Sequence, residues 1–264
     1  MLSTVVRTGE VLELFTRDRP EWGVSEIAAA LGVPKSNAYE VVSSLAAIDL
    51  LRRTGRSRYR LGWRILMMAS GLVDADLLRR HAPGILNTIS HETGETTHLA
   101  IWDGHRLVFI ARVLADGGVN QSHAQPGSPI EAHCTASGKV LLADMPWTEV
   151  AKRVLGRSGK LQRRTVNSIG DLGSLADQLR DVRGGTVALN REEADLGIGG
   201  FAVPVYGPDR HAIAALSVSM PVERLGEFEK RHYRFLTRMG ATLSATLAES
   251  LQADSEATRE MVGA

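Results

Sequence analysis

A run of polar side chains near residue 37 suits both anions and hydrogen-bonding edges. It comprises Lys35, Ser36, Asn37 and Tyr39. Lysine and tyrosine suit phosphate oxygens, and an asparagine amide can pair with the edge of adenine in a DNA major groove. Apolar residues at helical spacing lie among them, namely Ala38, Val41, Val42 and Leu45. The pattern therefore predicts an amphipathic helix whose exposed N-terminal end contacts DNA.

A shorter helix is predicted immediately before this one. Ser25 suits its N-cap, because a serine hydroxyl can accept a hydrogen bond from a free amide of the first turn. Gly32 is a natural stop, and Pro34 fits the start of the following helix. Two helices joined by a tight turn are typical of a helix-turn-helix, whose second helix enters the major groove. A helix over residues 2–15 would complete a three-helix core.

Arginines dominate the segment after the two helices. Six of them lie between Leu51 and Arg64, with no acidic residue among them. Two extended runs around Thr54-Gly55 predict a β-hairpin, the wing of a winged helix. A charge run alone is most often a solvated face, but its position after a helix-turn-helix favours contacts with phosphates. The predicted DNA contacts are Ser25, Lys35, Ser36, Asn37, Tyr39, Arg52, Arg53, Arg58 and Arg60.

The composition fits a DNA-binding head on a body of different character. Residues 1–64 carry 10 Lys and Arg against 7 Asp and Glu, whereas residues 65–264 carry 21 against 23. The single cysteine, Cys134, excludes an internal disulfide framework and a cysteine-based zinc cluster. No apolar run approaches the roughly 20 residues that span a bilayer, and the N-terminus lacks a signal-peptide pattern. We therefore expect a cytoplasmic protein with no membrane partner.

The remainder of the chain mixes helical and strand patterns, which predicts an α+β fold. Helical spacing continues from residue 63 to 90, with breaks expected at 74–76 and at Pro83. Residues 96–102 and 107–113 alternate around Asp103-Gly104, which is a hairpin signal. Further helices are predicted over residues 136–143, 148–155, 171–183 and 223–251, and further strands over 186–189, 201–205 and 212–219.

Four motifs follow one another along the chain. The head contains VSEIAAALGVPKSNAYEVVSSL and LLRRTGRSRYRLG, the middle HCTASGKVLLADM, and the last third EEADLGIGGFAVPVYGPDRHAIAALSVSMPVERL. In this order, and over nearly all 264 residues, the chain resembles the IclR family of transcriptional regulators. We predict a winged helix-turn-helix over residues 1–62 and a linker helix over 63–81. An effector-binding domain, α/β and similar to GAF or profilin-like folds, is predicted over 82–252, and a disordered tail over 253–264.

The resemblance also implies a function. Members of this family bind promoter DNA as dimers or tetramers, and a small metabolite alters that binding. We therefore expect a sequence-specific repressor that binds double-stranded DNA as a homodimer or homotetramer. Its effector would be a small organic carboxylate or amide from a catabolic pathway. The chain would have no catalytic activity and no cofactor.

The predicted effector site begins at the start of a helix. The free amides and the helix dipole at Ala136, Ser137 and Gly138 suit a carboxylate. The resemblance adds strand and loop positions. The full set is Ala136, Ser137, Gly138, Asn190, Ile198, Gly200, Ser217 and Ser219. The alternation of the two serines with apolar residues also fits small residues on a packed face.

Three positions depart from what is common in the family. Glu40 stands where arginine is frequent, so a carboxylate lies in the recognition helix and must accept from cytosine or pair with a local arginine. Gly200 replaces the cysteine of glyoxylate-binding members, and Gly199 often aligns with arginine. Two glycines remove side-chain volume, which predicts an effector larger than a two- or three-carbon acid.

Two other readings compete with a ligand-responsive regulator. His133 beside Cys134 suggests a base and a nucleophile in an enzyme that carries a helix-turn-helix, although adjacent residues seldom face each other. A scaffold whose second domain only oligomerises is the other. A metal site at His98, His123 or His133 is conceivable, but hydrogen-bonded histidines are commoner, and residues 91–98 do not match HExxH. We therefore predict no metal site.

Overall fold

The computed structural model describes residues 3–16, 18–75, 77–104, 106–120, 124, 129–156, 159–185 and 187–262. The chain divides into two compact units, Met1–Asp76 and Leu77–Ala264. The mixture of helices and sheets confirms the α+β class. No helix among the described residues is long and apolar enough to cross a membrane.

The first unit is a winged helix. Its helices are α1 (Ser3–Glu13), α2 (Val24–Leu31), α3 (Lys35–Ala47) and α4 (Trp63–Ala75). Its strands are β1 (Trp22–Gly23), β2 (Leu51–Gly55) and β3 (Arg58–Leu61), arranged in the antiparallel order β1-β3-β2. Apolar residues from α1, α2, α3 and β2 form one core, among them Val11, Ile27, Val42, Leu45 and Leu51. Strand β1 was not predicted, because two residues carry no detectable alternation.

The turn between α2 and α3 forms as the residue types predict. Gly32 caps α2 in the left-handed region with φ 64°, and Pro34 is the N-cap of α3. The N-cap of α2 is Gly23, however, so the prediction that Ser25 holds that position is wrong. The Glu26 carboxylate accepts a hydrogen bond from the Gly23 amide at 2.7 Å, and Ser25 lies exposed in the first turn.

The wing differs from its prediction by two residues. Thr54 and Gly55 belong to β2, and the turn is made by Arg56 and Ser57, the latter with φ 61°. A register irregularity between Arg53 and Gly55 accommodates this shift. The consequence is that an arginine, rather than a threonine, lies at the tip of the wing.

The second unit is a six-stranded antiparallel sheet with helices on both faces. Its strands are β4 (Thr96–Asp103), β5 (Arg106–Val113), β6 (Pro129–Ile130), β7 (Ala188–Arg191), β8 (Ile198–Tyr206) and β9 (Ala212–Pro221), in the order β6-β5-β4-β9-β8-β7. Its helices are α5 (Leu77–Thr93), α6 (Ala136–Ala143), α7 (Trp147–Leu155), α8 (Leu172–Arg183) and α9 (Leu225–Val262). Helices α5 and α9 share one apolar core with the sheet, and α6, α7 and α8 share another.

Several predicted boundaries of the second unit require correction. The predicted linker helix over 63–81 coincides with α4, which extends to Ala75, and with the first residues of α5, which begins at Leu77; residue 76 lies outside the described residues. Pro83 does not break α5, which continues to Thr93. The first strand of the last group is Ala188–Arg191 instead of 186–189. The expected disorder from residue 253 is not found, since α9 is helical to Val262, in a segment rich in alanine and glutamate.

Candidate DNA interface and effector cavity

The start of α3 and the tip of the wing face the same groove. The groove measures about 740 Å³ and is lined by Ser25, Lys35, Ser36, Tyr39, Arg56 and Arg58, together with residues 23–24, 26 and 57. Tyr39 is 54% exposed, so its ring and hydroxyl are open to a partner. Asn37 is half-buried and does not line the groove; its Oδ1 accepts a hydrogen bond from Ser36 Oγ at 3.4 Å. Five of the nine predicted DNA contacts thus meet in one place.

Two wing arginines are held by a carboxylate. Arg58 Nε donates to Glu21 Oε1 at 2.6 Å, and Arg60 Nε donates to Glu21 Oε2 at 2.9 Å. The bond from Arg58 is the main cause that lowers the pKa of Glu21 below its ordinary value. Arg58 and Arg60 are therefore both ion-paired with Glu21. Glu21, which precedes β1, balances one of their two positive charges, and Arg58 Nη1 also lies 3.5 Å from Glu26 Oε2.

Three other wing arginines carry no ion pair with a described residue. Arg52 lies over the ring of Trp63 at 5.8 Å, and Arg53 lies over Tyr59 at 5.9 Å. Arg56 lines the groove at the tip of the wing. The sequence prediction omitted Arg56, although its place in the hairpin loop was the signal that could have identified it.

The effector residues that the sequence suggested meet around a small cavity. Its lining includes six of the eight, namely Ala136, Ser137, Asn190, Gly200, Ser217 and Ser219. Ser137 Oγ donates to Ser217 Oγ at 2.8 Å, which ties the first turn of α6 to β9. The cavity measures about 20 Å³, which is room for one water molecule. A larger molecule would have to displace part of the wall.

The first turn of α6 supplies the polar end of this cavity. Thr135 is the N-cap, and its Oγ1 accepts from the Gly138 amide at 3.0 Å. Helix geometry leaves the amides of Ala136 and Ser137 without an intrahelical acceptor. These two amides, aligned with the helix dipole, suit a carboxylate or carbonyl oxygen.

Two of the predicted effector residues lie elsewhere. Gly138 faces the Ala132 backbone, and a Cβ at Gly138 would lie 2.1 Å from the Ala132 carbonyl oxygen. Ile198 pairs with Pro221 at the start of β8 and does not line the cavity. Both were predicted as effector contacts from their position in a motif, and a motif does not show which way a residue faces in the folded chain.

The two glycines of β8 are not equivalent either. A Cβ at Gly199 would lie 2.4 Å from Leu225 Cδ1, so the volume that this glycine leaves is filled by Leu225. Gly200 does line the cavity. Only one of the two glycines therefore supports the argument for a larger effector, and the cavity volume itself gives it no support.

His98 and Phe109 are parts of the site that the sequence argument missed. Phe109 lines the cavity, and the His98 ring lies 5.3 Å from it, centroid to centroid. Ser219 Oγ is 3.2 Å from His98 Nε2, within hydrogen-bond distance. The sequence showed the alternation of β4 and β5 but not which strand lies next to β4. The pairing of β4 with β9 is what brings His98 beside the two serines.

A buried ion pair lies behind the strand and helix that line the cavity. Lys139 Nζ donates to Glu193 Oε1 at 2.6 Å and to the Leu189 carbonyl at 2.8 Å, with side-chain exposures of 1% and 7% for Lys139 and Glu193. Burial lowers the pKa of Lys139, and the charge of Glu193 opposes that change. The Glu193 amide donates to Asn190 Oδ1 at 2.9 Å. The pair therefore connects α6 to the strand that carries Asn190.

Comparison with known proteins now assigns the family. Residues 71–245 match the model described as "Bacterial transcriptional regulator IclR C-terminal", and residues 4–55 match the IclR helix-turn-helix domain. The chain belongs to the IclR family of transcriptional regulators. The family prediction and the helix-turn-helix prediction are thus confirmed. The matched proteins are regulators and not enzymes, so the enzyme reading is set aside.

Individual relatives extend over most of both chains. The chain is 28% identical to the HTH-type transcriptional regulator XynR of Escherichia coli K12, covering 94% of this chain and 98% of XynR. It is 31% identical to KdgR of Dickeya chrysanthemi over an alignment that covers 88% of this chain and 75% of KdgR. A crystal structure of an IclR homolog from Microbacterium hydrocarbonoxydans, complexed with 4-hydroxybenzoate, superposes with a TM-score of 0.77 at 25% identity, covering 95% and 100%.

His133 and Cys134, the pair considered above as a base and a nucleophile, both contact one backbone carbonyl. His133 Nε2 lies 3.0 Å from the Gln162 carbonyl oxygen, and Cys134 Sγ lies 3.8 Å from the same atom. Burial raises the pKa of the Cys134 thiol and lowers that of His133. Among the described residues no group of three or more His, Cys, Asp or Glu side chains is placed to hold a metal. His123 lies outside the described residues.

Proposed function

We propose that the chain is a cytoplasmic, ligand-responsive repressor that binds a near-palindromic operator as a homodimer or homotetramer. The observation that carries the DNA-binding part is the groove shared by α3 and the wing, where Lys35, Tyr39 and Arg56 face one open space. A lysine, an arginine and a tyrosine suit two or three phosphates of one backbone. Ser25 and Ser36 line the same groove and supply hydroxyl donors.

We assign the remaining contacts in the same frame. Asn37, in the first turn of α3, would read a base edge once the helix lies in the major groove. Arg52 and Arg53 of β2 would contact the flanking backbone, whereas Arg58 and Arg60 would orient the wing through Glu21. One winged helix makes few contacts, so two linked copies gain affinity through effective concentration.

The proposed effector is a small carboxylate or amide in the cavity between α6 and β9. The Ala136 and Ser137 amides would bind its oxygen, and the Ser217 and Ser219 hydroxyls would complete the polar set. The Microbacterium homolog holds 4-hydroxybenzoate, which makes an aromatic carboxylate the first candidate here. Because the cavity has a volume of only about 20 Å³, such a ligand would move its walls apart, and that movement would supply the two states that regulation requires.

The test is the response of DNA binding to a defined probe. We expect 4-hydroxybenzoate, or another small carboxylate in the same assay, to change the affinity of the intact protein for its promoter DNA. Ser219→Val should remove that change and leave ligand-free DNA affinity within about twofold, because the substituted side chain lies in the second unit. Thr246→Val, an isosteric change at a half-buried position of α9 that lies outside the cavity, is the matched control.

Two results would contradict the proposed site. One is a normal ligand response in Ser219→Val. The other is a co-crystal structure with the probe bound away from Ser217 and the α6 N-terminus. A protein that binds DNA but responds to no carboxylate or amide would favour the scaffold reading.

A further inference from the structure

A second and much larger cavity lies at the opposite end of α6. It measures about 330 Å³, within the usual range for small-ligand sites. Val140 and Ala143 of α6 form its floor, Val203 and Tyr206 of β8 form one wall, and Tyr233 and Thr237 of α9 form another. It shares no lining residue with the cavity at Ser137, Ser217 and Ser219.

The cavity exists because the edge strand β7 is short. The last pair between β7 and β8 is Ala188 with Ala202, so β8 continues from Val203 to Tyr206 without a strand neighbour on that side. Helix α9 fastens to this free stretch: the Tyr206 amide donates to Ser244 Oγ at 2.9 Å. A Cβ at Gly240 would lie 2.9 Å from the Pro204 carbonyl oxygen. The cavity therefore lies where α9 packs closely on this end of β8 and no strand pairs with its free edge.

The charged residues at the rim are already engaged. Arg183 Nε donates to the Ala143 carbonyl at 2.8 Å and Nη2 to the Met145 carbonyl at 3.1 Å. Asp144 Oδ2 accepts from the Ala212 amide at 3.0 Å and lies 2.9 Å from His211 Nδ1. One positive and one negative group, both hydrogen-bonded, give little net attraction for a charged ligand.

The walls therefore define the ligand chemistry. Two tyrosine rings and several aliphatic side chains line the space, which stays open on the side of Tyr206, 44% exposed, and this lining suits a flat apolar molecule. An apolar cavity of about 150 Å³ accommodates benzene. A cavity of about twice that volume accommodates two fused rings.

We propose that this cavity is a second small-molecule site, selective for a neutral bicyclic aromatic compound. Occupancy there would bear on α6, whose eight residues are all buried and whose first turn lines the other cavity. The two sites would therefore be mechanically connected through one helix. This proposal holds whatever ligand the first cavity binds.

The experiment uses 2-naphthol as the probe and the intact protein. We expect calorimetry to give one binding event per chain, and we expect methyl signals of Val140 and Ala143 to shift on titration. Thr237→Phe places a ring in the cavity and should weaken 2-naphthol binding at least about tenfold. Thr242→Phe is the control, since Thr242 is also an exposed threonine of α9 bonded to its own helix but lies outside the cavity.

Further arms separate the alternatives. The anion 2-naphthoate should bind more weakly than 2-naphthol. If Thr237→Phe does not fold, Ala241→Leu, which narrows the same cavity, replaces it. Equal binding by the Thr237 and Thr242 variants, or no binding at the solubility limit, would overturn the proposal. A third result would also overturn it. If the wild-type protein binds no 2-naphthol and Thr237→Phe changes the sedimentation coefficient, the cavity is a contact with a second copy of the chain.

Discussion

At the scale of single residues, Glu21 decides how much of the wing's charge is available to DNA. It binds both Arg58 and Arg60. Glu21→Gln should release two cations, so DNA affinity should rise for all sequences and the salt dependence should steepen by about one to two units of slope. Fluorescence anisotropy at several salt concentrations measures this. Glu229→Gln removes the same charge from an exposed position of α9 and should change neither quantity.

Substitutions of Lys35 and Asn37 are expected to affect DNA binding in different ways. Lys35→Ala should weaken binding equally on all sequences and lower the salt slope by about one unit, because a phosphate contact carries no base information. Asn37→Ala should relax preference at one base pair, at a cost of about 1–3 kcal/mol there. A panel of single-base operator variants distinguishes the two. A uniform loss with Asn37→Ala would show that Asn37 does not read a base.

His211 provides a test of surface electrostatics. Its hydrogen bond with Asp144 raises the pKa of the imidazole above its ordinary value. A histidine whose pKa is raised by folding stabilises the protein below its unfolded pKa, and that contribution is lost as the pH rises through the folded value. An NMR titration should therefore give His211 a pKa above about 6.5. Asp144→Asn should lower it, and an unchanged pKa would exclude the pair in solution.

At the scale of elements, the Lys139–Glu193 pair fixes α6 to β7. Lys139→Met leaves the buried Glu193 uncompensated and should reduce the free energy of unfolding by about 3–5 kcal/mol. The double variant Lys139→Met with Glu193→Leu should recover most of that loss. Arg180→Met breaks an exposed pair with Asp177 and should cost at most about 1 kcal/mol. Urea denaturation measures all three; equal losses in the Lys139 and Arg180 variants would contradict the account.

Elements whose signals are local could be predicted from the sequence. The α2–α3 turn depends on Gly32 and Pro34, and the hairpin of β4 and β5 on Asp103-Gly104, so both followed from adjacent residues. The N-cap at Gly23 was missed because the bond comes from Glu26, which also sits between Arg19 and Arg58. The length of α9 was underestimated, since helix formers without an apolar stripe were interpreted as disorder.

The candidate cavity shows the same limit. Ser217, Ser219 and the α6 start line one cavity, as the sequence could predict, because motif and alternation indicate which residues share a strand face. Gly138 and Ile198 do not line the cavity and Leu225 fills the volume at Gly199, because the direction of each residue depends on partners distant in sequence. His98 reaches Ser219 across 121 positions of sequence, and only the strand order reveals that contact.

At the scale of the whole molecule, the account requires at least two copies on DNA. The helix α4 carries a row of large apolar side chains open to solvent, with Trp63 at 70% and Leu66 at 61% exposure. We propose that this row pairs two heads. Leu66→Glu should lower the oligomeric state in sedimentation and reduce operator affinity by at least about tenfold. Val166→Glu, at an equally exposed apolar position of the second unit, should do neither.

A protein that stays assembled with Leu66→Glu would refute that role of α4. A monomer at concentrations that protect DNA would refute the requirement for two copies altogether.

The central claim is that α3 and the wing of this regulator select a DNA sequence. The direct measurement is selection of binding sites from a random double-stranded library by the intact protein, followed by sequencing. We expect a near-palindromic consensus whose half-sites lie about one or more helical turns apart. We also expect that Lys35→Ala with Arg56→Ala enriches nothing. A wild-type selection that yields no consensus, or a consensus retained by the double variant, would contradict the central claim.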